Sequence, residues 1–495
     1  MPASKFPGFI GQAYQSLSPI ADCSTLINWY IEAMEDPGAK SAAVFYPTPG
    51  FETFGSVSQT GGRAIFSTAS ETGRCFAVIG SHLHEVLSSG TITDRGTMAI
   101  DGNPATICTS GDGGNELFIT SGGNGYVYDL LANTLSAIGA LAGKATMGAF
   151  ADGYFLAFDR STGTVYLSDL YDGTVWDPTQ FFTRSSRADT WNAMWVTSWG
   201  QIFLPGTKTR DYWYNAGTFP IPFVPTQSGT QPDGIAATFS ISENSGTLCW
   251  LQTNEDGGYK VMAATGYRGE RISTHAVEQA ISNYSQINDA IGETYTDHGH
   301  QFYLLTFPSA GMTWCYDLMT KTWHQRLTWD PTSGTYGAWR AQFHCFAFNK
   351  HLWVDSGSGL VVESDETFPT DVGGLLIRRE RTAPSICLNH HRLTFGTFEL
   401  LMQTGIGNAN DPGADPQITL SLSNDGGRTW GSERTASVGM MGQYLTRVQW
   451  QRNGDGRDKA FKVVCSDPVV PWAIIDAFLT VTDNRGQIVQ LGRAA

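Results

Sequence analysis

The sequence predicts an all-β chain, a β-propeller of six or seven blades followed by an antiparallel β-domain. Three observations point there. Glycine is abundant at 56 residues and aromatics reach 12%, while charged residues are only 16%, below the roughly 25% of an average soluble domain. From Arg63 onward, short runs of β-branched and aromatic residues alternate with turn residues, the rhythm of a sandwich or a propeller. One hairpin signature also recurs: Tyr128-Asp129 with Thr134-Leu135, Phe158-Asp159 with Thr164-Val165, and Tyr316-Asp317 with Thr322-Trp323.

The signature has a physical reading. An aspartate that closes one strand can accept hydrogen bonds from the turn's amides, while the flanking aromatic and apolar residues pack on the same sheet. Hairpins repeated over roughly 300 residues, at about 40–50 residues per unit, have propeller spacing. A pair of unrelated β-sandwiches is the alternative.

At 495 residues the chain exceeds one typical domain, which runs to roughly 100–200 residues, so two or three domains are expected. Residues 1–58 read as an amino-terminal docking segment packed on something else, with a helical stretch around 24–34 before the proline-bearing YPTPGF at 46–51. Residues 59–368 carry the propeller strands, from AIFST, CFAVIG and HLHEVL through NELFIT, GYVYDL and YFLAF to QFYLLTF, FHCFAF and HLWVDSG. Residues 369–374 mark a boundary. The clean alternation of RLTFGTFELLMQTG and QITLSLSNDGGRTW then reads as a separate sandwich-like domain over 375–482. Residues 405–416 form an exposed excursion within it, and 483–495 a polar tail.

Charge and cysteine usage narrow the function classes. The net charge is -15, unevenly placed: from Leu376 on there are 13 basic against 11 acidic residues, and before it 18 against 35. A surface of that sign repels phosphates and disfavours tight nucleic-acid binding, although a wall past which DNA slides without sticking is compatible with it. The eight cysteines (23, 75, 108, 249, 315, 345, 387 and 465) are scattered singly, without metal-binding spacing, and read as reduced, mostly buried thiols. No window reaches the roughly 18 apolar residues of a membrane span, and the amino terminus lacks a signal core, so cytoplasmic manufacture is expected.

Ser423, Asp425, Gly427, Thr429 and Trp430 fit the pattern Ser-x-Asp-x-Gly-x-Thr-Trp. The stretch resembles the Asp-box of sialidases, a structural hairpin turn that lies away from the catalytic pocket, with Trp buried beneath. A sialidase-like site would also need an arginine cluster, a nucleophilic Tyr–Glu pair and an acidic proton donor, and the propeller is poor in arginine. HGH at 298–300, His344-Cys345 with His351, and the adjacent His390 and His391 lack metal-ligand spacing. SGDGGNE at 110–116 and NEDGGYK at 254–260 are acidic hairpin tips without the lysine of a phosphate loop; solvated turns are the commoner use of such tips, and calcium binding is the alternative. The aromatics of WDPTQF at 176–181 and RDYWYNAG at 210–217 suit a core or an interface better than a sugar platform. No catalytic residue, metal or cofactor is expected.

NWYIE at 28–32 followed by YPTPGF, then WDPTQFF, RDYWYNAG, GYRGERISTHAVEQAI at 266–281 and RVQWQRNGDGRDKAFKVVCSDPV at 447–469 together carry a resemblance. The chain resembles the packaged-DNA stabilisation, or tail nozzle, proteins of short-tailed bacteriophages, in the same order over most of its length. The resemblance implies a non-enzymatic virion protein: six copies in a ring below the portal and adaptor, closing the channel after DNA packaging and gating ejection. It also implies attachment of a needle, fibres or spikes, and it brings no catalytic residue. Such a ring needs heterologous contacts that close, for which Arg378, Arg379 and Arg381 are candidates, meeting acidic faces of the neighbouring propeller. The rival reading is a glycan-binding propeller, either a phage receptor-binding protein or a hydrolase.

Overall fold

A computed structural model describes residues 3–491 apart from 70–72, 112–113, 185–187, 228, 255–256 and 484. Six four-stranded antiparallel sheets stand as complete blades: five at 62–97, 106–137, 147–183, 195–225 and 242–271, and a closing blade of 341–365 with Gly50–Ser56. Between the fifth and the closing blade a further four-stranded set, 291–325, runs on into a ten-stranded sheet; it is called the shared blade below. The closing blade takes its outermost strand from the other end of the propeller, with Gly50 opposite Asp365 and Ser56 opposite Leu360. The stretch 50–56, read as docking segment, is thus the strand that closes the ring.

The repeated signature is a hairpin at every predicted position. Asp129 pairs with Thr134, Asp159 with Thr164 and Asp317 with Thr322. Each carboxylate accepts from its own turn: Asp129 from the Leu131 and Ala132 amides at 2.8 and 2.9 Å, Asp159 from the Ser161 amide at 2.9 Å, Asp317 from the Met319 amide at 3.0 Å. The residue before each threonine (Asn133, Gly163, Lys321) is left-handed, which turns the chain into the return strand. A fourth copy stands at Trp329-Asp330 with Thr335-Tyr336, where the Thr332 amide donates to Asp330 at 2.8 Å. Blades are glued face to face by apolar side chains. Ile65, Ala77 and Ile79 of the first blade meet Leu352, Val354 and Val361 of the closing one in a single buried cluster.

The rest of the chain is a two-sheet sandwich. The ten-stranded sheet continues through Cys23–Ile27, Arg379–Thr382, Ala460–Cys465, Gln417–Ser423 and Arg434–Ser437. The facing sheet orders Trp29–Ala33, Ala43–Pro47, Ile474–Thr482, Leu393–Met402 and Val448–Trp450. Phe6, Phe9, Trp29, Phe45, Phe398, Phe461 and Trp472 fill the space between them, with ring centroids at 5.4 Å for Phe6–Phe461 and 5.1 Å for Phe398–Phe461. Each such buried ring contributes about 1.5–3 kcal/mol.

The expected helix at 24–34 is two strands. Thr25, Ile27, Trp29, Tyr30 and Ile31 are β-branched or aromatic and favour the pleated state. Asn28, left-handed between them, redirects the chain from one sheet to the other. Its side chain donates to the carbonyls of Leu327 (2.8 Å) and Arg378 (2.9 Å) and accepts from the Leu327 amide (2.9 Å). The amino-terminal stretch is therefore woven into the carboxyl-terminal sandwich of its own chain. One α-helix, His275–Ser282, bridges the fifth and shared blades; Thr274 caps it, and Val277 and Ile281, one turn apart, are buried in the sandwich core. Six cysteines are buried; Cys387 is exposed.

Candidate functional site

The Asp-box turn is built as its residue types require. Ser423 Oγ donates to Asp425 at 2.6 Å and accepts from the Gly427 amide at 2.9 Å. Asp425 accepts from the amides of Arg428 and Thr429 and from Thr429 Oγ1 at 2.6 Å. Hydrogen bonds from Ser423 and Thr429 hold its carboxyl well below the ordinary range. Gly427 has φ +89°, and a Cβ there would stand 2.8 Å from Cys23 Cβ, so the turn seats on the amino-terminal strand. Trp430 departs from expectation. It is only partly buried, beneath the Lys462 ammonium 4.6 Å from its ring, because Cys23 occupies the position under the turn.

The three arginines divide. Arg379 and Arg381 are fully buried and cannot meet a neighbouring subunit. Arg381 donates to the carbonyls of Phe9 (2.8 Å), Gly8 (2.8 Å) and Thr25 (3.1 Å) and so ties down the amino-terminal coil; burial pushes its pKa down to about 9. Burial likewise lowers Arg379 to about 10, and its Nη2 lies 3.4 Å from the Thr48 carbonyl. Arg378 stays partly exposed over the Trp329 ring at 4.6 Å, with Glu433 at 3.9 Å. Charge alone suggested a surface role; the paired strands Cys23–Ile27 and Ala460–Cys465 on either side of Arg379–Thr382 put it inside.

The inner strands of all the blades converge on a central bore with a cavity of about 520 Å³. Ile65, Ile107, Phe150, Trp195 and Phe343 make its wall, and among the described residues Glu293 is its one charged lining residue. Burial pushes the Glu293 carboxyl up to about 8, against a hydrogen bond from the Thr294 amide. An acidic passage for DNA is therefore not the bore of a single chain.

Sandwich and propeller meet at His300. Its Nδ1 lies 2.7 Å from Asp317 of the shared blade and its Nε2 2.5 Å from Glu32 of the amino-terminal strand Trp29–Ala33. Desolvation favours the neutral ring, but the two carboxylates outweigh it and hold the pKa above its ordinary value. Sequence reasoning missed this contact: HGH was weighed only for metal, and neither carboxylate is near it in sequence. His298 occupies a left-handed turn. His344 Nε2 lies 2.9 Å from His351 Nδ1, and burial pushes His344 down to about 3. His390 and His391 belong to an exposed turn rather than a strand. Among the described residues no group of three or more His, Cys, Asp or Glu is placed to hold a metal ion. Of the acidic tips, Asp112, Gly113, Glu255 and Asp256 lie outside the described residues. The aromatic stretches are partly core: Trp176 is buried against Phe118 at 5.2 Å and Arg210 lies over Trp250 at 4.7 Å, while Phe181 and Tyr214 are exposed.

The family model of the bacteriophage P22 Gp10 β-propeller matches residues 23–367, and that of the P22 Gp10 β-sandwich matches 378–481. The chain belongs to the bacteriophage P22 Gp10 family. It is thereby a phage structural tail protein and a component of the virion. The Gp10 propeller match begins at Cys23, the first residue of the strand that joins the shared blade to the sandwich. No curated protein matches the sequence. Among solved structures, virginiamycin B lyase from Staphylococcus aureus is 10% identical, covering 63% of this chain and 99% of its own, with a TM-score of 0.41. The extracellular domain of BT4673 from B. thetaiotaomicron is 9% identical, covering 92% and 60%, with a TM-score of 0.41. An exo-beta-1,3-galactanase from Phanerochaete chrysosporium is 9% identical, covering 86% and 96%, with a TM-score of 0.29. At such distances no activity passes from these proteins to this Gp10-family chain.

Proposed function

We propose that the chain is a non-enzymatic tail nozzle subunit, assembled in the host cytoplasm, that closes the portal channel, retains packaged DNA and gates its ejection. Gp10 family membership across both parts of the chain carries the reading. The bore of one propeller is walled mainly by apolar rather than acidic side chains, so an acidic DNA passage would be enclosed by several copies, as in a homo-hexameric ring. The excess of acidic residues before Leu376 suits a wall that does not grip phosphate. Ring contacts then fall on surfaces other than Arg379 and Arg381. Docking to adaptor and portal proteins above, and to a needle, fibres or spikes below, completes the proposed role.

The test is made on particles assembled without this chain. Heads that lose their genomes, and recover them when the chain is supplied, are the expected result. Full, stable heads that fail to adsorb would replace this reading with receptor binding.

A further inference from the structure

The seam between sandwich and propeller holds a second cavity, of about 390 Å³, whose chemistry differs from that of the bore. Tyr30 and Tyr46 sit directly opposite each other on paired strands of the sandwich. Tyr295 and Phe302 face them from the shared blade, stacked at 5.1 Å, with Phe302 edge-on to Tyr30 at 5.6 Å. Asp297 and Glu366 stand in the same wall, and among the described residues no lysine or arginine lines it, although the buried Arg326 guanidinium lies behind it, over the Phe302 ring at 4.5 Å and the Tyr295 ring at 5.1 Å. The one basic group among the described lining residues is His298, with Nδ1 2.7 Å from Asp297 and Nε2 3.6 Å from Glu366. After burial, Asp297, Glu32 and Glu366 add to the upward shift of the Tyr30 phenol, against the opposing charge of the buried Arg326.

Aromatic faces that converge on one space attract a cation through their quadrupoles, most strongly where water is partly excluded. Carboxylates beside them add direct charge attraction and acceptors for N–H donors. We propose that this cavity binds the guanidinium or ammonium of an arginine or lysine side chain presented by a partner polypeptide. Asp297 and Glu366 would take the charge, and the half-buried rings of Tyr30 and Tyr46 the aliphatic stem and the cation face, with Tyr295 and Phe302 as the floor beneath them. The mouth favours a polypeptide source: the half-buried Val470 and the exposed Pro471 give it an apolar edge, with no amide hydrogen on the proline, against which an extended backbone can lie. An incoming cation would compete with the His298 imidazole for both carboxylates. Only the source of the cation rests on the virion role proposed above; the pocket chemistry does not.

The probe is N-acetyl-arginine N-methylamide, followed by saturation-transfer NMR on the full chain at pH 8, where a free imidazole is neutral. Saturable binding is expected. The uncharged citrulline analogue of the same shape, and the D297N/E366Q variant, should each bind about tenfold more weakly, the scale of a partly desolvated cation–π and charge contact. Should the double variant lose its fold, Tyr46→Leu at the cavity edge is expected to weaken the probe to a similar degree. Propylguanidinium alone should bind more weakly than the blocked residue. No saturable binding, or a citrulline analogue that binds as well, overturns the proposal. Propylguanidinium binding as tightly as the blocked residue overturns the polypeptide occupant in favour of a free small cation. Either failure leaves the DNA-retention experiment standing, and genome loss from particles lacking the chain is independent of what the cavity binds.

Discussion

Replacing His300 with glutamine keeps the bulk and a donor but removes the charge that joins two parts of the molecule. The ring sits between Asp317, which is buried, and Glu32, whose side chain is 36% exposed. A hydrogen bond between charged groups contributes about 1.5–3 kcal/mol when buried; the more exposed arm to Glu32 is discounted to about 0–1 kcal/mol for solvent screening. His300→Gln is therefore expected to cost roughly 2–3 kcal/mol below pH 6.5. Other groups packed around the ring do not supply the same dependence: burial holds His324 neutral, and the Tyr30 phenol is pushed far above its usual range.

Because the folded pKa of His300 is raised, its contribution is fully present below the unfolded value of about 6.5 and fades as pH rises through the folded value. Urea unfolding followed by tryptophan fluorescence, at pH 6 and again at pH 9, measures both effects. The wild type should lose midpoint on going to pH 9 and His300→Gln should lose less, so the gap between them narrows. Parallel pH dependence in the two proteins would refute the charged-imidazole reasoning.

Three further outcomes follow from other contacts. Arg381→Met strips donors from the buried carbonyls of Phe9 and Thr25 and from the more exposed carbonyl of Gly8 and should cost about 2–4 kcal/mol; limited proteolysis should then cut within the first 15 residues sooner, and an unchanged cleavage pattern would count against the clamp. Gly427→Ala forces a side chain into a left-handed position against Cys23, at a cost of about 1–3 kcal/mol. Gly431→Ala, whose new carbon meets nothing nearer than 3.4 Å, is its control; equal melting temperatures for the two variants would remove the argument. Glu293, with a carboxyl raised to about 8, penalises the folded state progressively as pH rises from 4.5 through 8. Glu293→Gln should therefore gain stability over wild type at pH 9 but not at pH 4, and a gain of equal size at both would show that charge is not the cause.

What was legible in the sequence was what neighbouring residues decide among themselves. The turns after Asp129, Asp159 and Asp317 and the turn between Ser423 and Trp430 are closed by their own side chains, so residue type and spacing sufficed. Trp329-Asp330 with Thr335-Tyr336 carries the same signature and was readable on the same terms. Strand type within 24–34 was obscured because Asn28 reads as a neutral residue until its three hydrogen bonds to Leu327 and Arg378 are seen. The burial of Arg379 and Arg381 was not legible, since a guanidinium enters a core only where distant carbonyls wait for it. His300 illustrates the same limit: its partners lie 268 and 17 residues away, and no local pattern records a pairing across a domain seam.

The strand Gly50–Ser56 leaves the ribosome long before Leu360–Asp365, the strand it must pair with. At about 5–20 residues per second, some 300 intervening residues take of the order of half a minute to appear. Throughout that time the amino-terminal strands Cys23–Ile27 and Ala43–Pro47 also wait, for partners that end at Thr382 and Thr482. A nascent chain of this kind carries a sticky, unpaired edge through nearly the whole of its synthesis. Its yield should thus depend on translation speed and on holdase chaperones, and a premature stop anywhere before residue 482 should leave an aggregate rather than a shorter propeller.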